Sequence, residues 1–126
     1  MKDAFQTGDS VIDLNSVLER WSSQARKGYL EMLLLARLKA GRAYGYEIVS
    51  ALKLAPGFEH LAEGTVYPVL TRMKKDALVT AEWVAEDTGP PRKYYTITPT
   101  GTLALDSMRT TWNRMTDILD AQEPGR

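Results

Sequence analysis

Apolar positions recur along this chain at two periods, and the switch between them divides it. Val11, Leu14, Leu18 and Trp21 fall at 3-4-3 spacing, one face of a helix. Ser10 with Asp13 reads as a hydroxyl cap followed by an acid at the third helical position. Residues 1–9 read as a loose arm. From Arg26 to Ala40 the pattern predicts a second, strongly apolar helix, with Leu30, Leu33, Leu34 and Leu38 facing one way and Met32 and Leu35 beside them. A helix apolar on most sides is a core helix, and Gly41 stops this one. A short helix follows from Tyr44 to Ala55, with Ile48, Val49 and Leu52 as its buried stripe, closed by Pro56-Gly57. The next runs from Glu63 to Asp76. Val66, Val69, Leu70, Met73 and Ala77 lie on one side, and the opposite side carries Pro68, Thr71, Arg72 and Lys75, flanked by Thr65, Tyr67 and Lys74.

Beyond Leu78 the period drops to two. Val79, Ala81, Trp83 and Ala85 alternate with Thr80, Glu82, Val84 and Glu86, a strand pattern. Asp87-Thr88-Gly89-Pro90-Pro91 is a turn, because two prolines remove two ladder donors. Lys93 to Ile97 is a second strand, so a hairpin with a six-residue tip is expected. Thr98-Pro99 then opens a last helix with a hydroxyl cap and a proline at the first position, where its missing N–H costs nothing. That helix can run to Gln122, roughly 35 Å at ~1.5 Å per residue. Leu105, Met108, Trp112, Met115 and Leu119 repeat along it at 3-4-3-4, a coiled-coil-like seam. So long a helix on so small a chain calls for a second copy as its cover, with Val11, Leu14, Leu18 and Trp21 joining the same interface.

Composition narrows the class. The chain has 126 residues, 44% of them hydrophobic and 25% charged, which suits one soluble domain. There is no cysteine, so disulfides and cysteine-ligated metals are excluded. The longest apolar run, Met32 to Ala36, is too short to span a bilayer, and no signal segment is visible, so a cytoplasmic location is expected. Sixteen basic and sixteen acidic residues cancel. The charge is segregated along the chain, however. Arg20, Arg26, Lys27, Arg37, Lys39 and Arg42 are opposed only by Glu31, while Asp3, Asp9, Asp13, Asp106, Asp117, Asp120 and Glu123 gather at the two ends. His60 stands alone, Glu86-Asp87 lacks a partner base or nucleophile, and no Gly-rich phosphate loop is present. No enzyme, cofactor or metal site is expected.

Three helices followed by a hairpin, with the third helix polar and basic on its outer face, is the order of a winged helix-turn-helix. The expected fold is thus mostly α with a small β-hairpin: an N-terminal arm and extension helix (1–25), the winged helix-turn-helix (26–98) and a C-terminal dimerisation helix (99–126). Such a third helix fits the major groove of double-stranded DNA, and the hairpin reaches the neighbouring backbone. The candidate contacts are Tyr46, Thr65, Tyr67, Pro68, Thr71, Arg72, Lys74, Lys75, Arg92 and Lys93. Tyr67 and Pro68 are placed in the first turn of the reading helix. The alternatives are a Tyr67 packed on the wing, a Tyr46 packed in the core, a Thr65 that only caps, and cations on an ordinary solvated face.

Four blocks carry a family resemblance: Leu30-Glu31 with Leu33 to Leu35, Tyr44-Gly45-Tyr46-Glu47-Ile48, Gly64-Thr65-Val66-Tyr67-Pro68-Val69-Leu70, and Arg92-Lys93-Tyr94-Tyr95 with Thr98 and Gly101. In that order, over residues 26–120, the chain resembles the PadR family of transcriptional regulators, in the type with a single C-terminal helix. The resemblance implies a homodimeric repressor on an inverted-repeat operator, released in some members by small aromatic compounds. It also marks two departures: Ala62 stands where the family often has a capping serine, and Ala77 where it usually has glycine. Trp112, with Met108, is the candidate ligand-binding pair, since two indoles facing across an axis would stack a planar aromatic molecule; the alternative is that Trp112 fills the dimer core. A second reading of the whole chain is a winged helix used for protein contacts without sequence-specific DNA binding.

Overall fold

The computed structural model describes residues 4–7, 10–123 and 125, with side chains from Asp13 on. The described chain divides into two compact units, residues 1–30 and 31–126.

The first unit departs most from the sequence pattern. Ala4–Thr7 (β1) and Ser10–Asp13 (β2) pair as antiparallel strands, Thr7 opposite Ser10 and Ala4 opposite Asp13. The arm is therefore not loose, and Ser10 is a strand residue rather than a helix cap. The cap is Asp13. Its carboxylate accepts the Asn15 N–H at 3.0 Å, which satisfies one orphan donor of the first turn, and the Ser16 hydroxyl at 3.2 Å. Val11 lies on β2, and its side chain falls outside those described. From Leu14 one helix, α1, runs unbroken to Lys39, 26 residues long. The two predicted helices are one, and the expected boundary at residues 25 and 26 falls inside it. Arg20, Gln24 and Lys27 are sound helix formers, and nothing between Trp21 and Arg26 is a breaker strong enough to end it.

The second unit holds the winged-helix core. After α1 come Ala43–Tyr44 (β3), Gly45–Leu52 (α2), Glu63–Lys75 (α3), Val79–Val84 (β4), Arg92–Ile97 (β5) and Pro99–Ala121 (α4). The sheet is antiparallel in the order β3-β5-β4. Tyr44 pairs with Tyr94, and Trp83 with Lys93. The β3 strand was not foreseen, because two residues carry no period. Leu34, Leu35 and Leu38 of α1, Ile48 of α2, Val66, Leu70 and Met73 of α3, Val79 of β4 and Leu105 of α4 are almost wholly buried. Phe58 is buried in the loop between α2 and α3, which anchors ten residues without regular structure. Glu47 returns to the start of α2 and accepts the Tyr44 N–H at 3.2 Å, half of a capping box.

The end of α3 is closed by Ala77. It is the only described non-glycine residue with positive φ, at 60°. The Ala77 N–H donates to the Lys74 carbonyl and the Leu78 N–H to the Met73 carbonyl, the bond pair of a Schellman motif. Alanine thus makes the turn that glycine makes without strain. Ala77→Gly should raise stability by about 1 kcal/mol, because left-handed φ costs a non-glycine residue roughly 1–2 kcal/mol and glycine's extra chain entropy returns part of the gain. A urea midpoint that stays level or falls would contradict this.

Thr98 ties α4 to that same turn. Its N–H donates to the Leu78 carbonyl at 3.0 Å. Its hydroxyl donates to the Ala77 carbonyl at 2.7 Å and accepts the Gly101 N–H at 2.9 Å.

Candidate nucleic-acid interface

Helix α3 buries Val66, Leu70 and Met73 and exposes Thr65, Pro68, Thr71, Arg72, Lys74 and Lys75. The helical period sets Lys75, Thr71 and Pro68 on the ridge opposite the buried stripe, with Arg72 and Thr65 on one flank and Tyr67 and Lys74 on the other. Tyr67 and Pro68 fall at the fifth and sixth helical positions, so they belong to the second turn, not the first. Pro68 lacks the N–H that would bond the Gly64 carbonyl, which leaves that acceptor on the exposed outer side. The Thr65 N–H donates to the Ala62 carbonyl at 3.0 Å, and Ala62 offers no side-chain cap.

Two contacts hold this face in place. The Arg72 guanidinium pairs with the Glu31 carboxylate of α1, so Arg72 ties α3 to α1 while still half open to solvent. The Tyr67 ring lies against the start of α2, where a β-carbon on Gly45 would collide with its hydroxyl. Gly45 leaves the notch that Tyr67 occupies. Burial, and then the Glu63 carboxylate, push the Tyr67 phenol above its ordinary pKa, so its hydroxyl is a neutral donor at physiological pH.

The wing carries its cations on aromatic rings. The Arg92 guanidinium stacks 4.5 Å from the Tyr44 ring centre and donates to the Tyr44 hydroxyl at 3.1 Å. Arg42 stacks 4.6 Å from the Tyr94 ring centre and pairs with Glu82 at 3.2 Å. Tyr44 and Tyr94 meet edge to face at 5.3 Å. Guanidinium on an aromatic face gains ~0.5–1 kcal/mol at exposed sites and keeps its charge, so Arg92 is held in one orientation without being neutralised. Glu86 is half-buried and accepts the Tyr94 hydroxyl at 3.2 Å, so it does not belong to a merely solvated turn. Partial burial and then Glu86 raise the Tyr94 pKa.

Between α3 and the β4–β5 wing lies an open cleft of about 400 Å³, with Tyr67 and Thr71 on one wall and Trp83 and Lys93 on the other. Tyr46 and Arg92 also border it. Of the sequence candidates, the cleft brings together Tyr46, Tyr67, Thr71, Arg92 and Lys93; Lys74, Lys75 and Arg72 continue along α3 away from it, and Thr65 and Pro68 lie outside its lining. Tyr46 is exposed rather than packed in the core. Two residues escaped the sequence reading. Tyr44 holds Arg92 through a strand too short to show a pattern, and Trp83 is exposed on the strand face along which Val79 is buried.

On α4, Leu105 is covered by its own chain, so it is not part of an open seam. Met108 and Trp112 are half-buried, and Met115, Ile118 and Leu119 are each more than half exposed. Leu14 is half-buried, while Leu18 and Trp21 on α1 are exposed. Among the described residues no helix is long and apolar enough to cross a membrane, and no group of three or more His, Cys, Asp or Glu side chains could hold a metal ion.

A three-helix core, a basic exposed third helix and a cation-bearing hairpin define a winged helix-turn-helix DNA-binding protein. Residues 34–107 match the transcriptional regulator PadR-like family, and the chain belongs to that family. It is a DNA-binding transcriptional regulator, of a family of regulators and not of enzymes. Among solved structures it is similar to a PadR-like transcriptional regulator from Bacillus cereus strain ATCC 14579, with 34% identity, 82% of this chain and 99% of that chain covered, and a TM-score of 0.70. A PadR-like transcription factor from Bacteroides fragilis shares 38% identity over 81% of this chain and 97% of its own, with a TM-score of 0.68. A PadR family regulator from Eggerthella lenta DSM 2243 is 27% identical over 89% of this chain and 96% of its own, with a TM-score of 0.76. No curated protein matches the sequence.

Proposed function

We propose that this regulator is a homodimeric, cytoplasmic repressor that binds an inverted-repeat operator through α3 and the wing and releases it when a planar aromatic molecule binds. The observation that carries the DNA contact is the outer ridge of α3: Lys75, Thr71 and Pro68 are exposed while Val66, Leu70 and Met73 are buried. Lys75, Lys74, Arg72, Arg92 and Lys93 neutralise phosphates. Tyr67 and Tyr46 donate hydroxyls to the backbone. Thr71 reads a base edge, and Thr65 and Pro68 fit the groove wall. The two recognition helices of a dimer enter successive major grooves, about one helical turn apart.

The dimer reading rests on the exposed Met115, Ile118 and Leu119 of α4; the part from 99 to 126 is the pairing element, 26–98 the DNA-binding part and 1–25 an arm and extension. Leu14, Leu18 and Trp21 join the interface. Met108 and Trp112 line the ligand seat between the copies. A ligand acts here only if it binds one spacing of the reading helices better than the other.

Gel-shift titration at several salt concentrations tests the central claim. Affinity should fall steeply with salt. Lys75→Ala should weaken binding to every duplex by about tenfold and lower the salt slope by about one. Affinity indifferent to both salt and this substitution would sink the reading.

A further inference from the structure

Trp83 is 69% exposed on the inner edge of the wing. In register it stands opposite Lys93, whose ammonium lies 5.8 Å from the indole centre. On the same strand face, Val79 is buried and Ala81 half-buried, so Trp83 continues the inward face past the end of the core. An exposed indole is apolar surface left in water. This one is placed across the cleft from Tyr67 and Thr71, on the side of the molecule that carries the exposed face of α3.

We propose that Trp83 is a DNA-contacting residue, and that the cleft between the wing and α3 seats one sugar-phosphate strand of the duplex. The indole packs on a deoxyribose while Lys93 and Arg92 hold the flanking phosphates. Charge favours a polyanion: the cleft lining holds two cations against one acid, Glu63. Shape favours it as well, since the cleft is open to solvent and bordered by Tyr46 and Tyr67, which suits a continuous strand better than an enclosed molecule. A sugar contact carries no base identity. It therefore adds affinity evenly across sequences, and because the indole is uncharged it adds nothing to counterion release.

The inference rests on the DNA-binding reading above, and the test keeps the two apart. The probe is a mixed-sequence duplex of about 30 base pairs, enough for two half-sites, titrated against the full chain at several salt concentrations. Trp83→Ala should weaken binding by about tenfold, the scale of an aromatic contact on nucleic acid, with the salt slope unchanged. Trp83→Phe should restore most of the affinity, whereas Lys93→Ala should lower the slope by about one. Saturating duplex should also protect from acrylamide that part of the tryptophan emission missing in Trp83→Phe. Trp83→Ala affinity equal to the parent's, while Lys75→Ala still weakens binding, overturns the proposal and leaves the DNA reading intact. Should Trp83→Ala fail to fold, the acrylamide result alone decides: no protection of Trp83 by duplex overturns the proposal. Quenching of Trp83 by a small aromatic compound that leaves duplex affinity unchanged also overturns it, since the cleft would then hold that compound and not the strand.

Discussion

Gly101→Ala should destabilise the protein by about 2–4 kcal/mol, the top of the range for overpacking a closed site, and lower its melting temperature by roughly 10 °C. Gly101 sits in the first turn of α4, where alanine ordinarily favours a helix by ~1 kcal/mol, so intrinsic propensity predicts the opposite sign. Contact decides. A β-carbon there would meet the carbonyl oxygen of Leu78, and it would lie 2.8 Å from Cγ1 of Ile97. The isoleucine tip can move, but the Leu78 carbonyl cannot, because it accepts the Thr98 N–H. Relief requires α4 to lift from the sheet, which also lengthens the bond from the Gly101 N–H to the Thr98 hydroxyl. Thermal unfolding followed by circular dichroism measures this. A melting temperature within about 2 °C of the parent's would show that α4 relaxes freely. Thr98→Ala gives a milder comparison of about 1–2 kcal/mol, the scale of a lost cap.

Replacing Met115 and Leu119 together with lysine should convert a dimer into monomers and reduce operator affinity by at least about a hundredfold. The first part follows from exposure. Both side chains are more than half open within the chain, so charge costs little in the monomer, whereas a dimer must bury two ammonium groups in each copy. The second follows from linkage. A dimer that has engaged one half-site presents its other reading helix at high effective concentration, and the gain, often 10²–10⁴, disappears in monomers. Sedimentation equilibrium reads the first effect and gel-shift the second. A double variant that remains dimeric would place the subunit contact elsewhere and remove α4 from that role.

Legibility of the sequence varied with local signal. Helix α3 ends within one residue of its expected position, because Val66, Val69, Leu70 and Met73 at helical spacing are unambiguous and Glu63 to Lys75 contains no competing turn. The start of α4 followed from Thr98-Pro99 alone, a pair with a single good use. The N-terminal strand pair is hidden because Val11 stands three residues before Leu14 and so extends the helical spacing of α1 backwards by coincidence, although Thr7 and Ser10 flank Gly8-Asp9, a two-residue hairpin signal. Trp83 is not among the sequence candidates, because alternation reports the face of a strand but not where the core beneath that face ends. The Arg92–Tyr44 stack joins residues 48 apart through a two-residue strand, and no periodicity encodes such a contact. The candidate reading surface was therefore legible as a set of residue types on α3, while the arrangement that steadies the wing was not.

The hydroxyl of Thr98 joins the first turn of α4 to the residue that closes α3, and this makes the two helices a lever and its load. With 23 residues, α4 is about 35 Å long at 1.5 Å per residue. A swing of about 10° about the Thr98 fulcrum moves its far end by roughly 6 Å at that length. If two copies pair through α4 as proposed, a small change in how their α4 helices cross would run back through three hydrogen bonds at one threonine to the end of α3.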